Sequence, residues 1–295
     1  MRPATPRQQK VAAAYDSEIW PLVPARAAEL MLRVLPRPAA ARVLELGCAT
    51  GHLTLAVAER LDADSRILAV DASAPLIAQA EVRKAGHPAA DKVSFQVFDP
   101  ATPPPAGAHD LVLANLTVGE AAQPAIAVGE LVRALKPGGR VVLTLALSGS
   151  WAEFLDLYGD VLTEQGKHAG LEALARHRAS VPAAETAVAW LEGAGLTDVG
   201  VEVNRFELLF KSAREFFFAP IVELGPLPMW KQIAGGHGDE MQDVFFFIKE
   251  AIETYFSGTV FPVSMVIGCL SGTKPAAIAR DGGRKSQRRP VVGAP

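Results

Sequence analysis

A glycine-containing segment near the start of the chain has the composition of a ligand-binding turn. Residues 43–52 read VLELGCATGH, with Gly47 and Gly51 placed between a short apolar run and an amphipathic one. Glycine allows backbone conformations that other residues resist, and it lets a ligand approach the main chain closely. We therefore predict that this segment joins a strand to a helix and binds a nucleotide-like ligand at the strand's carboxyl end.

Three acidic residues accompany this turn. Glu45 lies within it, and Asp71 ends the apolar run ILAVD, 20 residues beyond Gly51. Asp99 ends a further run, VSFQVFD. A carboxylate at the end of the second strand of such a unit accepts hydrogen bonds from ribose hydroxyls. Because acidic groups on one rim repel phosphates, the pattern favours a cationic nucleoside such as S-adenosylmethionine.

Two other nucleotide-binding motifs fit the residues less well. A dinucleotide fingerprint GxGxxG starting at Gly47 requires glycine at position 49 and a small residue at position 52, where the chain has Ala49 and His52. A P-loop requires a lysine after its last glycine, and none follows Gly51. A triphosphate ligand is thus disfavoured, and an NAD-dependent oxidoreductase is kept as a weaker alternative.

Short apolar runs alternate with amphipathic stretches from Arg42 onward. The predicted strands are RVLELG, RILAVD, VSFQVFD, HDLVLAN and, after a turn at residues 136–139, RVVLTLAL, with VGVEVNRFELLF and FPVSMVIGCL as two later candidates. Alternation of strands and helices predicts βαβ units around a parallel sheet. The first five runs lack polar alternation, which is typical of strands covered on both faces. We predict an α/β fold with a doubly wound, mostly parallel sheet of seven strands.

Part of the chain resembles a known protein family. VLELGCATG, AVDAS and LKPGGRVVL, in this order within residues 43–147, are similar to motifs of the class I S-adenosylmethionine-dependent methyltransferases. The strongest likeness is to a small-molecule branch that contains quinone C-methyltransferases and malonyl-carrier-protein O-methyltransferases. The resemblance implies a Rossmann-like fold, S-adenosylmethionine as cofactor and S-adenosylhomocysteine as product. It also implies that the last strand, FPVSMVIGCL, runs antiparallel and forms a hairpin with the sixth.

The resemblance also implies which residues bind the cofactor. Gly47 and Gly51 would lie alongside the methionine part of the cofactor. Asp71 would bind the ribose, and Asp99 would bind the adenine amino group. The full expected set is Glu45, Gly47, Cys48, Ala49, Gly51, Asp71, Ala72, Phe98, Asp99 and Asn115. Ala49 stands where the family usually has glycine. Because alanine favours negative φ, we expect either an ordinary backbone there or a slightly shifted ligand.

The acceptor site is expected at the same rim. Methyl transfer is an in-line displacement that depends mainly on alignment, and a general base is needed only if the acceptor loses a proton. Glu120 is the candidate base, because it is the ionisable residue in the stretch after the fourth strand. The residues expected around the acceptor are Tyr15, Trp20, Trp151, Tyr158, Phe217 and Trp230. Such an aromatic wall predicts an apolar or aromatic small molecule.

The chain divides into four predicted parts. Residues 1–40 form an N-terminal helical lid, and residues 41–210 with 258–274 form the cofactor-binding core. Residues 211–257 are too long and too apolar for a connecting loop, so we predict a helical insertion that acts as a lid. Residues 275–295 are basic and rich in glycine and proline, and we expect them to be disordered.

Composition narrows the classes of function. The 295 residues carry 29 Lys and Arg against 32 Asp and Glu, a net charge of −3, which disfavours nucleic acid as a partner. The two cysteines lack metal-ligand spacing, so no metal site is expected. No run of 18 apolar residues occurs, and we expect a cytoplasmic enzyme without a membrane span. A protein that binds S-adenosylmethionine or its product without methyl transfer, as a sensor, decarboxylase or cyclase, stays an alternative.

Overall fold

The centre of the fold is a seven-stranded sheet. A computed structural model describes residues 4–99, 101 and 103–276. The strands are β1 (Arg42–Leu46), β2 (Arg66–Asp71), β3 (Val93–Val97), β4 (His109–Asn115), β5 (Leu135–Ala146), β6 (Thr197–Phe210) and β7 (Phe261–Thr273). Their order across the sheet is β3-β2-β1-β4-β5-β7-β6. The doubly wound seven-stranded fold predicted from the sequence is confirmed.

Strand direction also agrees with the prediction. The strands β3, β2, β1, β4 and β5 pair in parallel, whereas β7 pairs antiparallel with both β5 and β6. The chain moves outward from β1 to β3 and then crosses back to β4 on the other side of β1. The ends of β1 and β4 therefore form a topological switch point, where doubly wound sheets bind their ligands.

Helices cover both faces of the sheet. They are α1 (Pro6–Ala14), α2 (Pro24–Val34), α3 (His52–Arg60), α4 (Ala74–Lys84), α5 (Pro124–Ala134), α6 (Ala152–Glu164), α7 (His168–Ser180), α8 (Ala184–Gly193), α9 (Ala213–Phe218), α10 (Pro220–Glu223), α11 (Leu227–Ile233) and α12 (Asp239–Tyr255). Successive strand residues point to opposite faces, so Val43 lies in one apolar core and Leu44 in the other. Among the residues the structure describes, no helix has the length and apolar character needed to cross a membrane.

The glycine turn before the fifth strand is part of the sheet. Leu135 already pairs with His109, and regular pairing resumes at Arg140 with Leu111. The intervening residues form an irregularity in the strand, where Gly138 has a φ of +80°. A turn preceding the strand was expected at residues 136–139, and the structure places those residues within β5 instead.

The two predicted lids are helical where the structure describes them. The N-terminal part contains α1, a π-helical turn at Tyr15–Ile19 and α2, and the insertion at residues 211–257 contains α9 to α12. Their action as lids stays a prediction. The expected disorder of residues 275–295 concerns a tail of which all but residues 275 and 276 lie outside the described part of the chain.

Candidate active site

A cavity of about 650 Å³ opens at the switch point of the sheet. Its floor is formed by residues at the ends of β1, β2 and β4, and its walls come from α1, the turn Tyr15–Ile19 and residues near α10. Eight of the residues expected from the sequence line it: Tyr15, Gly47, Ala49, Asp71, Ala72, Phe98, Asn115 and Glu120. The fold thus brings the glycine turn, the acid after β2 and the candidate base to one chamber.

Asp71 is held in place by two backbone amides. Its Oδ2 accepts a hydrogen bond from the Ala49 amide at 3.0 Å, and its Oδ1 accepts one from the Ser73 amide at 2.8 Å. Burial raises the pKa of the Asp71 carboxyl above its usual range, while the two amides oppose that rise. Each oxygen keeps acceptor capacity, so the side chain can receive hydroxyl groups of a ligand.

The glycine turn lies close to its neighbours. The amides of Gly47 and Cys48 both donate to the Val70 carbonyl, at 2.8 and 3.1 Å, which holds the turn against β2. A Cβ on Gly47, where φ is +72°, would lie 2.0 Å from the Thr117 Oγ1. A Cβ on Gly51, at φ +79°, would lie 2.5 Å from the Phe95 Cζ. Both positions therefore require glycine for space as well as for backbone conformation.

Ala49 also has a left-handed backbone, with a φ of +47°. The first of the two expected alternatives, an ordinary backbone at this position, is therefore wrong, and a slightly shifted ligand stays a prediction. The left-handed region costs an L-residue roughly 1 to 2 kcal/mol. The hydrogen bond from the Ala49 amide to Asp71 ties the residue into this geometry, so alanine is held in a conformation that glycine adopts more readily.

Four members of the expected cofactor set do not line the cavity, and three of them lie in or next to the glycine turn. Glu45 is 1% exposed, and its Oε2 has no hydrogen-bond partner among the described residues. Burial raises the pKa of Glu45 to about 7, against a lowering by the Thr54 hydroxyl and a further rise from Asp71. Cys48 is buried in the main core, and burial raises the pKa of its thiol. Gly51 is the N-cap residue of α3, at the end of the turn. These three residues lie in or next to the glycine turn without facing the cavity.

Asp99 lies outside the cavity as well. It is exposed, and its Oδ1 accepts a hydrogen bond from the Ala101 amide at 2.9 Å, whereas the preceding Phe98 lines the chamber. The bond closes a local turn, which directs the carboxylate along its own loop. The assignment of Asp99 to the adenine amino group stays a prediction.

Most of the aromatic residues expected around the acceptor lie elsewhere. Tyr15 lines the cavity, but Trp20 stacks on His52 with ring centroids 4.5 Å apart. An aromatic cluster beside α6, which we call the α6 cluster, contains Trp151, Phe154, Tyr158, Phe216, Phe217 and Trp230. In the structure, Trp151, Tyr158, Phe217 and Trp230 are thus packed in this cluster and absent from the cavity wall. Apolar helical residues bury against each other wherever they meet, and the sequence does not distinguish a core face from a site wall.

Glu120 faces the chamber from a short turn at Val118–Glu120. Partial desolvation within the chamber, and then the nearby Asp71, raise the pKa of the Glu120 carboxyl, and Arg7 lowers it, although the residue as a whole is exposed. Arg7 is one of the cavity residues that the sequence did not indicate; its guanidinium donates to the Leu224 carbonyl and so joins α1 to the insertion. The others include Thr5, Gln8, Val11, Ser73, Leu76, Pro220, Ile221, Leu224 and Gly225. Ser73 and Leu76 follow the end of β2, and the others lie in the predicted lids; no further signal in the sequence marks them.

The residues present fit S-adenosylmethionine. The Ser73 Oγ is buried at the cavity beside Asp71 and has no partner among the described residues, so it is available to a ligand hydroxyl. The narrow turn at residues 47–51 lets a ligand approach the backbone. In the described part of the chain, no three His, Cys, Asp or Glu side chains come together as a metal site would require.

Comparison with known proteins identifies the class. A family model described as a methyltransferase domain matches residues 19–201, and the chain belongs to this family. It is a member of the S-adenosylmethionine-dependent methyltransferases, with S-adenosylmethionine as cofactor. The resemblance stated from the sequence motifs is confirmed.

Two curated relatives illustrate the similarity. The chain is 33% identical over 127 residues to a malonyl-acyl-carrier-protein O-methyltransferase of Salmonella typhimurium, covering 43% of this chain and 47% of the relative. It is 33% identical over 172 residues to a trans-aconitate 2-methyltransferase of Methylobacterium nodulans, covering 58% and 63%. The matched region thus spans between about half and two thirds of these relatives' length.

Solved structures support the fold. YjhP of Escherichia coli has a TM-score of 0.53 at 16% identity, with 92% of this chain and 100% of that chain covered. A phosphoethanolamine N-methyltransferase 2 of Haemonchus contortus, in complex with phosphomonomethylethanolamine and S-adenosylhomocysteine, has a TM-score of 0.53 at 15% identity, covering 92% and 58%. At these identities the likeness concerns the fold alone.

Proposed function

We propose that this chain transfers the methyl group of S-adenosylmethionine to a largely apolar small molecule, and that nucleic acid is not its substrate. The observation that carries the proposal is the single chamber of about 650 Å³ that joins the Ala49–Asp71 contact to an apolar wall. The apolar side chains of that wall are Val11, Ile19, Val23, Leu116, Ile221 and Leu224. A chamber of this size and lining suits a nucleoside cofactor beside a small apolar acceptor.

The residues that would hold the cofactor follow from their positions. Asp71 and Ser73 would bind the ribose hydroxyls, the turn at residues 47–51 would pass the methionine part, and Phe98 with Ala72 would flank the adenine. Asn115 is fixed by a bond from its Nδ2 to the Pro24 carbonyl at 3.1 Å and by the Thr144 hydroxyl, which donates to its Oδ1 at 2.7 Å. When bound, the cofactor supplies an electrophilic methyl group on a positively charged sulfur.

The chain's own contribution to the reaction is mainly alignment and exclusion of water. The walls from α1 and from residues 220–225 cover the chamber, so an acceptor between them is oriented by apolar contact. Tyr15 and Glu120 place polar groups in this space. The raised pKa of Glu120 suits a general base for an acceptor that must lose a proton.

The first experiment is a calorimetric titration with S-adenosylhomocysteine of the wild type, Asp71→Ala and Asp160→Ala. Asp160 is an exposed carboxylate on α6 and serves as the matched control. Loss of hydrogen bonds to a charged group costs about 1 to 3 kcal/mol, so we expect Asp71→Ala to raise the Kd by roughly 5- to 150-fold. Asp160→Ala should bind as the wild type does.

Turnover is then measured as S-adenosylhomocysteine formed from S-adenosylmethionine with a panel of apolar alcohols, phenols and carboxylic acids. Absence of S-adenosylhomocysteine binding to folded wild type would overturn the proposal. Saturable binding without turnover of any acceptor would instead favour a protein that binds the cofactor without methyl transfer.

A further inference from the structure

The first part of the chain forms a wall of the cavity. Here the N-terminal segment means residues 5–19, which comprise α1 with its cap and the turn Tyr15–Ile19. Its cavity-lining residues are Thr5, Arg7, Gln8, Val11, Tyr15 and Ile19. A ligand that fills the chamber is therefore in contact with this segment.

The apolar attachment of the segment is small. Ala12 packs with Ala49 and Leu76 in a cluster of three buried residues, with Val11 and Tyr15 at its edge. This cluster is separate from the two large cores on the faces of the sheet. Segments with little buried apolar surface open at low free energy, so the segment requires polar contacts to keep its position.

Asp16 supplies several of those contacts, in addition to the bond from the Gln79 amide to the Ala12 carbonyl at 2.8 Å and the bond from the Arg7 guanidinium to the Leu224 carbonyl. The Asp16 carboxylate accepts a hydrogen bond from the Thr50 hydroxyl at 2.6 Å and lies 3.1 Å from the His52 Nε2. The Arg83 guanidinium on α4 donates to its other oxygen. Arg83 also donates from Nε to the Thr50 carbonyl at 2.9 Å, which ties the glycine turn to α4. One side chain thus joins the segment to the turn, to α3 and to α4.

The position of these contacts couples them to the cofactor site. Thr50 follows Ala49, whose amide donates to Asp71, and Asp16 follows Tyr15, which lines the chamber. The Asp16 side chain is 41% exposed, and solvent-exposed ion pairs contribute about 0 to 1 kcal/mol each. Such a set of contacts favours the position of the segment against the glycine turn and still allows the segment to detach from it.

We propose that Asp16 is a positioning residue that latches the N-terminal segment onto the glycine turn. The segment then closes over the chamber at the same time as the turn adopts its cofactor-binding conformation. The inference rests on the proposed function, since it takes the chamber to be the cofactor site. It assigns Asp16, Thr50 and Arg83 a role in cofactor retention without contact with the reacting atoms.

The test compares Asp16→Asn with Glu18→Gln, which removes the same charge from the same turn at an exposed position whose side chain makes no hydrogen bond or ion pair to the residues the structure describes. Two quantities are measured: the Kd for S-adenosylhomocysteine and the hydrogen exchange of amides in residues 5–19. We expect Asp16→Asn to raise the Kd by about tenfold and to speed exchange in this segment. Glu18→Gln should change neither, and the melting temperature without ligand should stay within about 2 °C in both.

A second pair of variants separates coupling from general destabilisation. Arg83→Met should weaken S-adenosylhomocysteine binding to a similar extent, and the double variant Asp16→Asn/Arg83→Met should be little worse than either alone, because both remove one latch. Additive effects in this cycle would overturn the proposal. So would wild-type affinity and wild-type exchange in Asp16→Asn. If the wild type itself does not bind, the proposed function fails, while exchange of the free protein still reports whether Asp16 holds the segment.

Discussion

The conformation of Ala49 links the backbone of the glycine turn to the Asp71 carboxylate, the proposed ribose ligand. Its φ of +47° places the amide 3.0 Å from the Asp71 Oδ2. Outside the site, Ala40 has a similar φ of +49° and is exposed. The two alanines share a backbone conformation and differ in surroundings. Substitution of each in turn therefore separates the effect of backbone strain on stability from the effect on ligand binding.

We predict that Ala49→Val and Ala40→Val each reduce the free energy of unfolding by about 1 to 3 kcal/mol, because a β-branched side chain is strongly disfavoured at positive φ. Ala49→Val should in addition weaken S-adenosylhomocysteine binding, since relaxation of the turn moves the amide away from Asp71. Denaturant titration and calorimetry measure the two effects. Wild-type affinity in Ala49→Val would show that the contact with Asp71 does not depend on this backbone conformation.

At the scale of elements, the α6 cluster attaches the helical insertion to the core. Phe154 of α6 lies 4.2 Å from Trp230 of α11 and 5.0 Å from Phe216 of α9, measured between ring centroids. The Tyr158 hydroxyl donates to the Trp230 carbonyl at 2.7 Å, and both side chains are fully buried. These contacts hold α9 and α11 on the body of the protein, whereas the N-terminal segment has a smaller apolar cluster and is held in addition by polar contacts such as those of Asp16 and Arg7.

We predict that Tyr158→Phe reduces the free energy of unfolding by about 1 kcal/mol, because a buried carbonyl loses a hydrogen-bond donor. Tyr255→Phe is the control, since Tyr255 is 73% exposed and should tolerate the same change. Affinity for S-adenosylhomocysteine should be unchanged in both. A Tyr158→Phe variant of normal stability but impaired acceptor turnover would instead support the acceptor role that the sequence suggested for Tyr158.

At the scale of the whole molecule, Glu45 makes stability depend on pH. Its pKa is about 7 in the fold against an ordinary value of 4.5. Between these values the folded protein keeps a proton that the unfolded chain has released, so stability falls as pH rises through this window. A difference of this size corresponds to roughly 3 kcal/mol above pH 7.

We predict that Glu45→Gln removes this dependence. Guanidinium denaturation at pH 5, 6, 7 and 8 should show the wild type losing stability towards pH 8 relative to the variant. Glu172→Gln, at an exposed carboxylate on α7, should follow the wild type. Parallel stability curves for wild type and Glu45→Gln would contradict the prediction.

Local sequence was sufficient for the framework of this protein. The strands β2 and β4 begin and end at the residues of RILAVD and HDLVLAN. A strand that is covered on both faces requires a continuous apolar run, and the polar residues at either end of the run mark its limits. Gly47 and Asp71 reach the same chamber because parallel strands bring their carboxyl ends to one edge. Gly47 and Asp71 could therefore be placed in the site from the local pattern, whereas Asp99, at the end of another such run, lies outside the cavity.

Contacts between distant parts of the chain could not be predicted from the local sequence. An apolar helix has a hydrophobic face whether it packs in the α6 cluster or lines a cavity, so Trp230 and Tyr158 were expected at the acceptor and lie in the core. Asp16 meets Thr50 and Arg83 across separations of 34 and 67 residues, and no local pattern encodes such a meeting. Periodicity and motifs act over a few residues, whereas burial, pKa and the left-handed φ of Ala49 arise only when separate elements pack together.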